Sequence, residues 1–146
     1  MKLVLSFVLI LLLVIVNATK AQKANELPLG TWTNEEKEAR FQIFKCGEKL
    51  CGKITWLKEP MLNGKPKVDS KNPDEKQRGR PVLGMVFMKD FSYEGNNKWD
   101  NGIIYDPKSG KTYSCYMKIL DPNKMEVKGY IGISLVGRSQ IWTRVK

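Results

Sequence analysis

The sequence contains no histidine among its 146 residues. Ser-His-Asp and Cys-His catalysis need an imidazole, and most zinc sites use one, so these kinds of site are excluded. Carboxylates are the remaining acid–base groups, and the candidates are Asp69, Asp74, Asp100 and Asp106. Each lies in a turn-like context, where Asp commonly caps the backbone. We therefore predict no catalytic residue, no metal site and no cofactor, and a protein that is not an enzyme.

Long apolar runs are absent after residue 16. Before that point, Met1-Lys2 precedes Leu3–Val16, which is almost continuous Leu, Val and Ile. This run has the length of a secretory signal and is shorter than the roughly 20 apolar residues of a membrane-spanning helix. The small residues of Thr19-Lys20-Ala21 favour cleavage after Ala21, and Val16-Asn17-Ala18 offers a second site. An uncleaved membrane anchor is the alternative.

These features predict a signal peptide over residues 1–21 and a single domain over residues 22–146. The remaining chain is long enough for one domain with a hydrophobic core and too short for two. We expect an exported protein, periplasmic or secreted, with no stable membrane span after cleavage. The oligomeric state does not follow from the sequence.

Blocks of like charge are also missing, although the chain is basic. Its formal net charge is +10, and loss of Lys2 and Lys20 with the signal peptide leaves +8. The positive residues are spread along the chain and do not alternate with aromatic residues as in nucleic-acid-binding runs, so we expect no nucleic-acid partner. Attraction to an anionic envelope surface and simple solvation of the surface both remain as explanations.

Cysteine is scarce, with three residues in the chain. Cys46 and Cys51 flank a short polar loop between two strand-like runs, so we predict a disulfide across a hairpin. Its small loop places its stabilisation at the low end of about 2–4 kcal/mol. Cys115 shares a strand face with Tyr113 and Met117, which favours a buried, inert thiol over a reactive one.

Short β-strand patterns fill most of the chain after residue 28. Phe41 and Ile43 alternate with polar neighbours, and Ile54 and Trp56 are expected to share one strand face. Val82–Tyr93 is predicted to be a later strand, with Gly84 as a candidate bulge or close-approach point. In total we count about eight antiparallel strands and no convincing amphipathic helix. This pattern predicts an all-β, up-and-down barrel of the lipocalin type, with a β-sandwich as the main competitor.

One segment interrupts the strand pattern. Residues 59–80 are rich in charge and in turn formers such as Asn63-Gly64 and Asn72-Pro73. Turn formers at this density predict a long excursion over one end of the barrel, without a strand of its own. Long loops often carry function, so this segment is a candidate for the binding site.

The two ends of the strand region resemble the closure of the calycin barrels, the group of lipocalins and fatty-acid-binding proteins. In that group a Gly-x-Trp begins the first strand, as Gly30-Thr31-Trp32 does here, and an Arg of the last strand packs over the indole. A planar, weakly hydrated guanidinium is suited to this stacking. The resemblance implies that Trp32 and an arginine close one end of the barrel. Both Arg144 and Arg138 fit the role, because they lie on the same face of an ideal strand.

A closer resemblance is carried by motifs along nearly the whole domain. They are Cys46-Gly47, Leu50-Cys51-Gly52-Lys53-Ile54-Thr55-Trp56-Leu57, Asp69 with Asn72-Pro73, Arg78-Gly79-Arg80-Pro81, Tyr105-Asp106-Pro107, Gly110-Lys111-Thr112-Tyr113, Gly129-Tyr130-Ile131-Gly132 and Gly137-Arg138-Ser139-Gln140-Ile141-Trp142-Thr143-Arg144. Together they resemble the DUF2147 family of small exported bacterial proteins. The resemblance implies a lipocalin-like barrel in the bacterial envelope and brings no catalytic assignment.

Arginine pairs and aromatic residues are the candidates for ligand contacts. Arg78 and Arg80 point to one side of an extended segment and are suited to hold a carboxylate or phosphate, while salt bridges within the loop are an equal alternative. The other candidates are Arg138, Trp56, Trp99, Tyr113 and Tyr130, although such aromatic residues more often belong to a core. We predict a non-enzymatic binding protein for a small, partly apolar ligand, with an acidic head group as an option. The alternative is an envelope protein whose loops bind another protein or an anionic polymer.

Overall fold

The computed structural model describes residues 26–146 of the chain. The predicted signal peptide lies outside this range. The ten strands of the described part are β1 (Gly30–Thr33), β2 (Ala39–Cys46), β3 (Lys49–Leu57), β4 (Met61–Leu62), β5 (Lys65–Pro66), β6 (Val86–Gly95), β7 (Lys98–Asp106), β8 (Lys111–Asp121), β9 (Lys124–Tyr130) and β10 (Gly137–Arg144). The only helical element within residues 26–146 is a 3₁₀ turn at Glu75–Gln77, and no helix there is long and apolar enough to cross a membrane.

Eight of the strands form one closed antiparallel barrel in the order β1-β10-β9-β8-β7-β6-β3-β2. The first and last strands close it, with Trp32 opposite Arg144 and Thr33 opposite Thr143. The predicted eight-stranded antiparallel barrel is therefore confirmed, and the sandwich is excluded. Because successive strands are neighbours, their connections alternate between the two ends of the barrel.

The excursion was predicted to have no strand of its own, but it contains the two-residue strands β4 and β5. Asn63 and Gly64 join them with φ of 51° and 75°, the positive values that a type I′ hairpin turn needs at both central positions. The hairpin forms a small sheet apart from the barrel.

The strand predicted from Val82 begins only at Val86, because Gly84 has φ of 85° and donates its N–H to the Ile54 carbonyl at 2.7 Å.

A bulge between β2 and β3 changes the direction of one predicted site residue. Phe41 lies opposite Ile54, but its neighbour Arg40 lies opposite Trp56, so the register shifts by one residue. A bulge breaks the alternation of a strand. Ile54 is consequently buried, whereas Trp56 is 39% exposed, and the prediction that they share a face is wrong.

Large side chains fill the barrel end that carries the β2–β3, β6–β7 and β8–β9 turns. The fully buried residues there include Trp32, Met88, Phe91, Trp99, Cys115, Met117 and Met125. Burial and then the negative charge of Asp100 raise the pKa of the Cys115 thiol, which is consistent with an inert core residue. The disulfide predicted between Cys46 and Cys51 is confirmed at the β2–β3 turn.

Candidate functional site

The barrel holds a cavity of about 1380 Å³ that opens at the end opposite the packed half. Four connections form this opening, which we call the mouth: residues 34–38, 58–85, 107–110 and 131–136. The apolar side chains of the wall include Phe41, Ile54, Leu57, Val82, Phe87, Ile104, Val127 and Trp142. A lipocalin-sized barrel holds either packed side chains or one small ligand, and this barrel is packed in one half and hollow in the other.

Three aromatic side chains form the floor of the cavity. The rings of Phe41 and Trp142 stack with centroids 4.3 Å apart, and Phe87 lies 5.0 Å from Phe41 and 6.4 Å from Trp142. The Trp142 indole N–H donates to Gln140 Oε1 at 3.2 Å, which satisfies its polar atom within the cavity. The floor is therefore an apolar cluster of packed aromatic rings, suited to contact the end of an apolar ligand.

Arg144 lies at the opposite, closed end. Its guanidinium carbon is 4.1 Å from the centre of the Trp32 ring, and its nitrogens donate to the carbonyls of Leu27, Leu29 and Pro122 at 2.7, 2.7 and 2.8 Å. Arg138, at the other end of β10, lines the cavity near the mouth instead. Of the two arginines that the sequence left open, Arg144 is the one that packs on Trp32.

The predicted pair Arg78 and Arg80 is engaged within the excursion. Arg78 contacts Glu75 at 3.1 Å. Arg80 donates through Nε to Asp69 Oδ2 at 3.0 Å, and its second nitrogen lies 2.9 Å from the same oxygen. The alternative of internal salt bridges therefore describes the geometry, and neither arginine is among the residues that line the cavity.

Asp69 connects the excursion to the barrel wall. Its carboxylate is fully buried and accepts hydrogen bonds from Tyr105 of β7 at 2.6 Å and from Asn72 at 2.7 Å, in addition to Arg80. Burial alone raises the pKa of this carboxyl, but the hydrogen bonds from these three residues outweigh it, so the pKa lies below its ordinary 3.8. Burial and then the bond to Asp69 raise the pKa of Tyr105 to about 12.

The predicted aromatic site residues are divided between three places. Tyr113 and Tyr130 border the cavity, although the Tyr130 hydroxyl donates to Asp100 at 3.4 Å. Trp99 is buried in the packed half against Tyr93. Trp56 lies on the outer surface, where the Arg40 guanidinium is 5.1 Å from its ring. Of the predicted ligand residues, the cavity therefore brings together Tyr113, Tyr130 and Arg138.

Charged side chains surround the mouth. The cations that border the cavity are Lys58, Lys65, Lys67, Lys108 and Arg138. Lys67 lies 3.8 Å from Glu59, and Lys108 lies 3.6 Å from Glu38. Within residues 26–146, the other three cations have no carboxylate partner within salt-bridge distance. Four carboxylates, Glu36, Glu38, Glu59 and Asp106, border the same cavity, so the cations exceed the acids by one, and Lys58, Lys65 and Arg138 are not in ion pairs within the described residues.

Sequence reasoning missed the aromatic floor. Alternation alone assigns Phe41 to the inner face of β2, but Phe87 lies in the continuous apolar run Met85–Met88 and Trp142 follows the apolar Ile141, so alternation does not assign a face to either of them. Their convergence depends on three distant strands and on the register between them, which alternation within a strand does not report.

One family model and two solved structures are similar to this chain. The family model described as "Uncharacterized protein conserved in bacteria (DUF2147)" matches residues 30–144, which confirms the resemblance seen in the sequence. Protein HP1028 from the human pathogen Helicobacter pylori, described as belonging to the lipocalin family, is similar with a TM-score of 0.73 and 22% identity over 82% of this chain and 83% of that chain. A redesigned β-barrel has a TM-score of 0.46 and 15% identity over 84% and 96% of the two chains. The chain has no match among curated proteins.

Proposed function

Because the chain belongs to the DUF2147 family and has a lipocalin-like barrel, we propose that it binds a small, partly apolar ligand with an acidic head group, without catalysing a reaction. The observation that carries this proposal is the half-hollow barrel, with its apolar wall, its aromatic floor and its cationic mouth. Apolar walls with a few polar groups are typical of small-molecule sites. The tail would lie on the floor and the head beside Arg138.

Arg138 is the most suitable residue for the head group. It borders the cavity and, within residues 26–146, has no carboxylate partner, unlike Arg78 and Arg80. A guanidinium binds a carboxylate or phosphate through two parallel hydrogen bonds. Lys58 and Lys65 border the same opening and add positive charge without this fixed geometry.

We expect the fluorescent probe dansylundecanoic acid to bind in the cavity, and Gly129→Phe to weaken binding at least about tenfold, which corresponds to roughly 1.4 kcal/mol. Gly129 lines the cavity, and a Cβ there would lie 3.5 Å from Ile104 and 3.7 Å from Tyr113, so a small side chain fits and a large one occupies ligand space. Gly129→Ala is the matched control. Fluorescence titration measures both affinities.

The head-group assignment is tested by Arg138→Gln, which we expect to weaken the same probe about tenfold, with little effect on the methyl ester of that probe, which keeps the apolar chain and lacks the carboxylate. Arg78→Gln is the control, because Arg78 is engaged with Glu75 outside the cavity. Equal affinity of wild type and Gly129→Phe would show that the probe does not enter the barrel, and the proposal would fail.

We also propose that the protein is exported to the periplasm or secreted. The supporting observations are the N-terminal apolar run and the Cys46–Cys51 disulfide, since stable disulfides are typical of oxidising compartments. We expect that expression of the full sequence in a bacterium yields the protein in the periplasmic or extracellular fraction. Its intact mass should match a chain that starts at Gln22. Cytoplasmic protein that retains Met1 or Lys2 would contradict the proposal.

A further inference from the structure

The connection between β9 and β10, residues 131–136, carries an unusual group of exposed apolar side chains. We call it the rim loop. The exposed fractions are 73% for Ile131, 62% for Ile133, 86% for Leu135 and 65% for Val136. The two other residues of the loop are Gly132 and Ser134, so the segment has no charge. Single exposed apolar residues are ordinary, but a contiguous group marks an interaction surface.

The rim loop is continuous with the cavity. Ile131 and Val136, at its two ends, border the opening, whereas Ile133 and Leu135 are not among the lining residues. Another part of the mouth, the β4–β5 hairpin, exposes Met61 by 49% and Leu62 by 63%. Apolar side chains therefore stand out from two sides of the same opening.

The unbalanced charge beside these apolar residues is positive. Within residues 26–146, Lys58, Lys65 and Arg138 have no carboxylate within salt-bridge distance. The nearby acids are engaged: Glu59 and Glu38 pair with lysines. An occupant of this surface must match apolar side chains and free cations together.

Other acidic groups at the mouth also have partners. Glu35 accepts the Ile141 backbone N–H at 2.7 Å, and Glu36 accepts from the Asn34 amide at 2.9 Å. Asp106 accepts from the backbone of Lys108 at 2.9 Å and from the Ser109 hydroxyl at 2.7 Å. These neutral donors do not cancel the charge of the three carboxylates, but the residues that border the cavity still carry five cations against four carboxylates.

We propose that the mouth docks onto an anionic lipid bilayer, with Ile133 and Leu135 among the acyl chains and Lys58 and Lys65 against the headgroup phosphates. A bilayer surface offers apolar chains and negative charge together, which is the combination that interfacial proteins match. A second copy docked mouth to mouth would bring the same cations together, and like charges oppose that arrangement. Docking does not depend on the proposed cavity ligand.

The test uses the chain from Gln22 onward, because every strand of the closed barrel lies within residues 30–144. Sedimentation with vesicles of phosphatidylglycerol and phosphatidylcholine is compared with sedimentation with phosphatidylcholine alone. We expect binding to the anionic vesicles that weakens with added salt. The double variant Ile133→Ser/Leu135→Ser should weaken binding at least about tenfold, because two apolar side chains lose their burial. Lys58→Gln and Lys65→Gln should each weaken it about fivefold.

Matched controls lie at the closed end of the barrel. Leu120 is 51% exposed near the β8–β9 turn, and Lys124 is exposed beside it. Leu120→Ser and Lys124→Gln should leave vesicle binding unchanged. All these side chains are exposed, so the variants should fold, and the Ile133→Ser/Leu135→Ser protein should still bind dansylundecanoic acid in solution. That result separates failure of docking from failure of the cavity proposal.

Three outcomes would overturn the proposal. Wild-type protein could fail to sediment with anionic vesicles, or the Leu120→Ser control could lose as much binding as the rim-loop variant. Light scattering without vesicles could instead show a dimer that the rim-loop variant converts to a monomer, which would identify a second copy as the occupant.

Discussion

Asp69→Ala is expected to lower the free energy of unfolding by about 3 kcal/mol, because it removes a buried carboxylate that accepts charge-assisted and neutral hydrogen bonds. The substitution leaves Arg80, Tyr105 and Asn72 without their common acceptor. Since these bonds join the excursion to β7, we also expect residues 58–85 to open locally before the barrel unfolds. Urea unfolding measures the first effect and hydrogen exchange the second.

Glu75→Ala is the matched control for this prediction. Glu75 also pairs with an arginine of the excursion, at 3.1 Å, but its side chain is 81% exposed. Exposed pairs contribute about 0–1 kcal/mol, so this variant should remain close to wild type. If Asp69→Ala is no less stable than Glu75→Ala and exchanges no faster in residues 58–85, Asp69 does not hold the excursion in place.

The stabilisation by Asp69 should depend on pH in one direction. Its pKa in the folded protein lies below the ordinary 3.8, so the folded protein binds the proton less readily than the unfolded chain does. The contribution is then complete above the unfolded pKa and disappears as the pH falls through the folded pKa. The difference in unfolding free energy between wild type and Asp69→Ala should be constant near neutral pH and should shrink below 3.8. A difference that grew in acid would contradict this assignment.

The closed end of the barrel gives the second large effect. Trp32 is fully buried, and its indole N–H donates to the Pro28 carbonyl at 2.8 Å. Trp32→Ala should destabilise the protein by about 3–5 kcal/mol through the cavity that it leaves. Arg144→Met keeps apolar volume over the indole but leaves the carbonyls of Leu27 and Leu29 without their donor, and should cost about 2 kcal/mol.

Arg138→Met is the control for Arg144→Met, since both arginines lie on β10 and only Arg144 packs on Trp32. Denaturant unfolding should place Arg138→Met within about 0.5 kcal/mol of wild type, as for most exposed sites. Equal losses for the two variants would mean that the guanidinium stack does not seal this end. The two arginines should also differ in their effect on ligand binding, because only Arg138 borders the cavity.

Local patterns were sufficient for much of the fold. Alternation of apolar and polar residues identified the eight barrel strands, and Asn or Gly at turn positions marked their ends. The Cys46–Cys51 disulfide also followed, because both residues flank one short turn. The β4–β5 hairpin was missed despite its Asn63-Gly64 signal, because strands of two residues are too short to show a period.

The candidate site was less accessible to sequence reasoning. Arg78 and Arg80 have the spacing of an anion site, but Arg80 contacts Asp69, eleven residues away along the chain. Trp56 follows the period of β3 until a bulge opposite Arg40 turns it outward. Both outcomes depend on pairing between distant segments, which a local pattern does not contain.

The sequence by itself determined the absence of imidazole chemistry, the all-β class, the number of barrel strands and the disulfide, because each depends on residue types or on spacing within one segment. Only the tertiary structure decided that one half of the barrel is packed and the other hollow, that Arg144 covers Trp32 while Arg138 borders the cavity, and that Asp69 engages Arg80. The physical reason is that burial and register arise from contacts across the closed sheet, where each strand limits the space available to its neighbours.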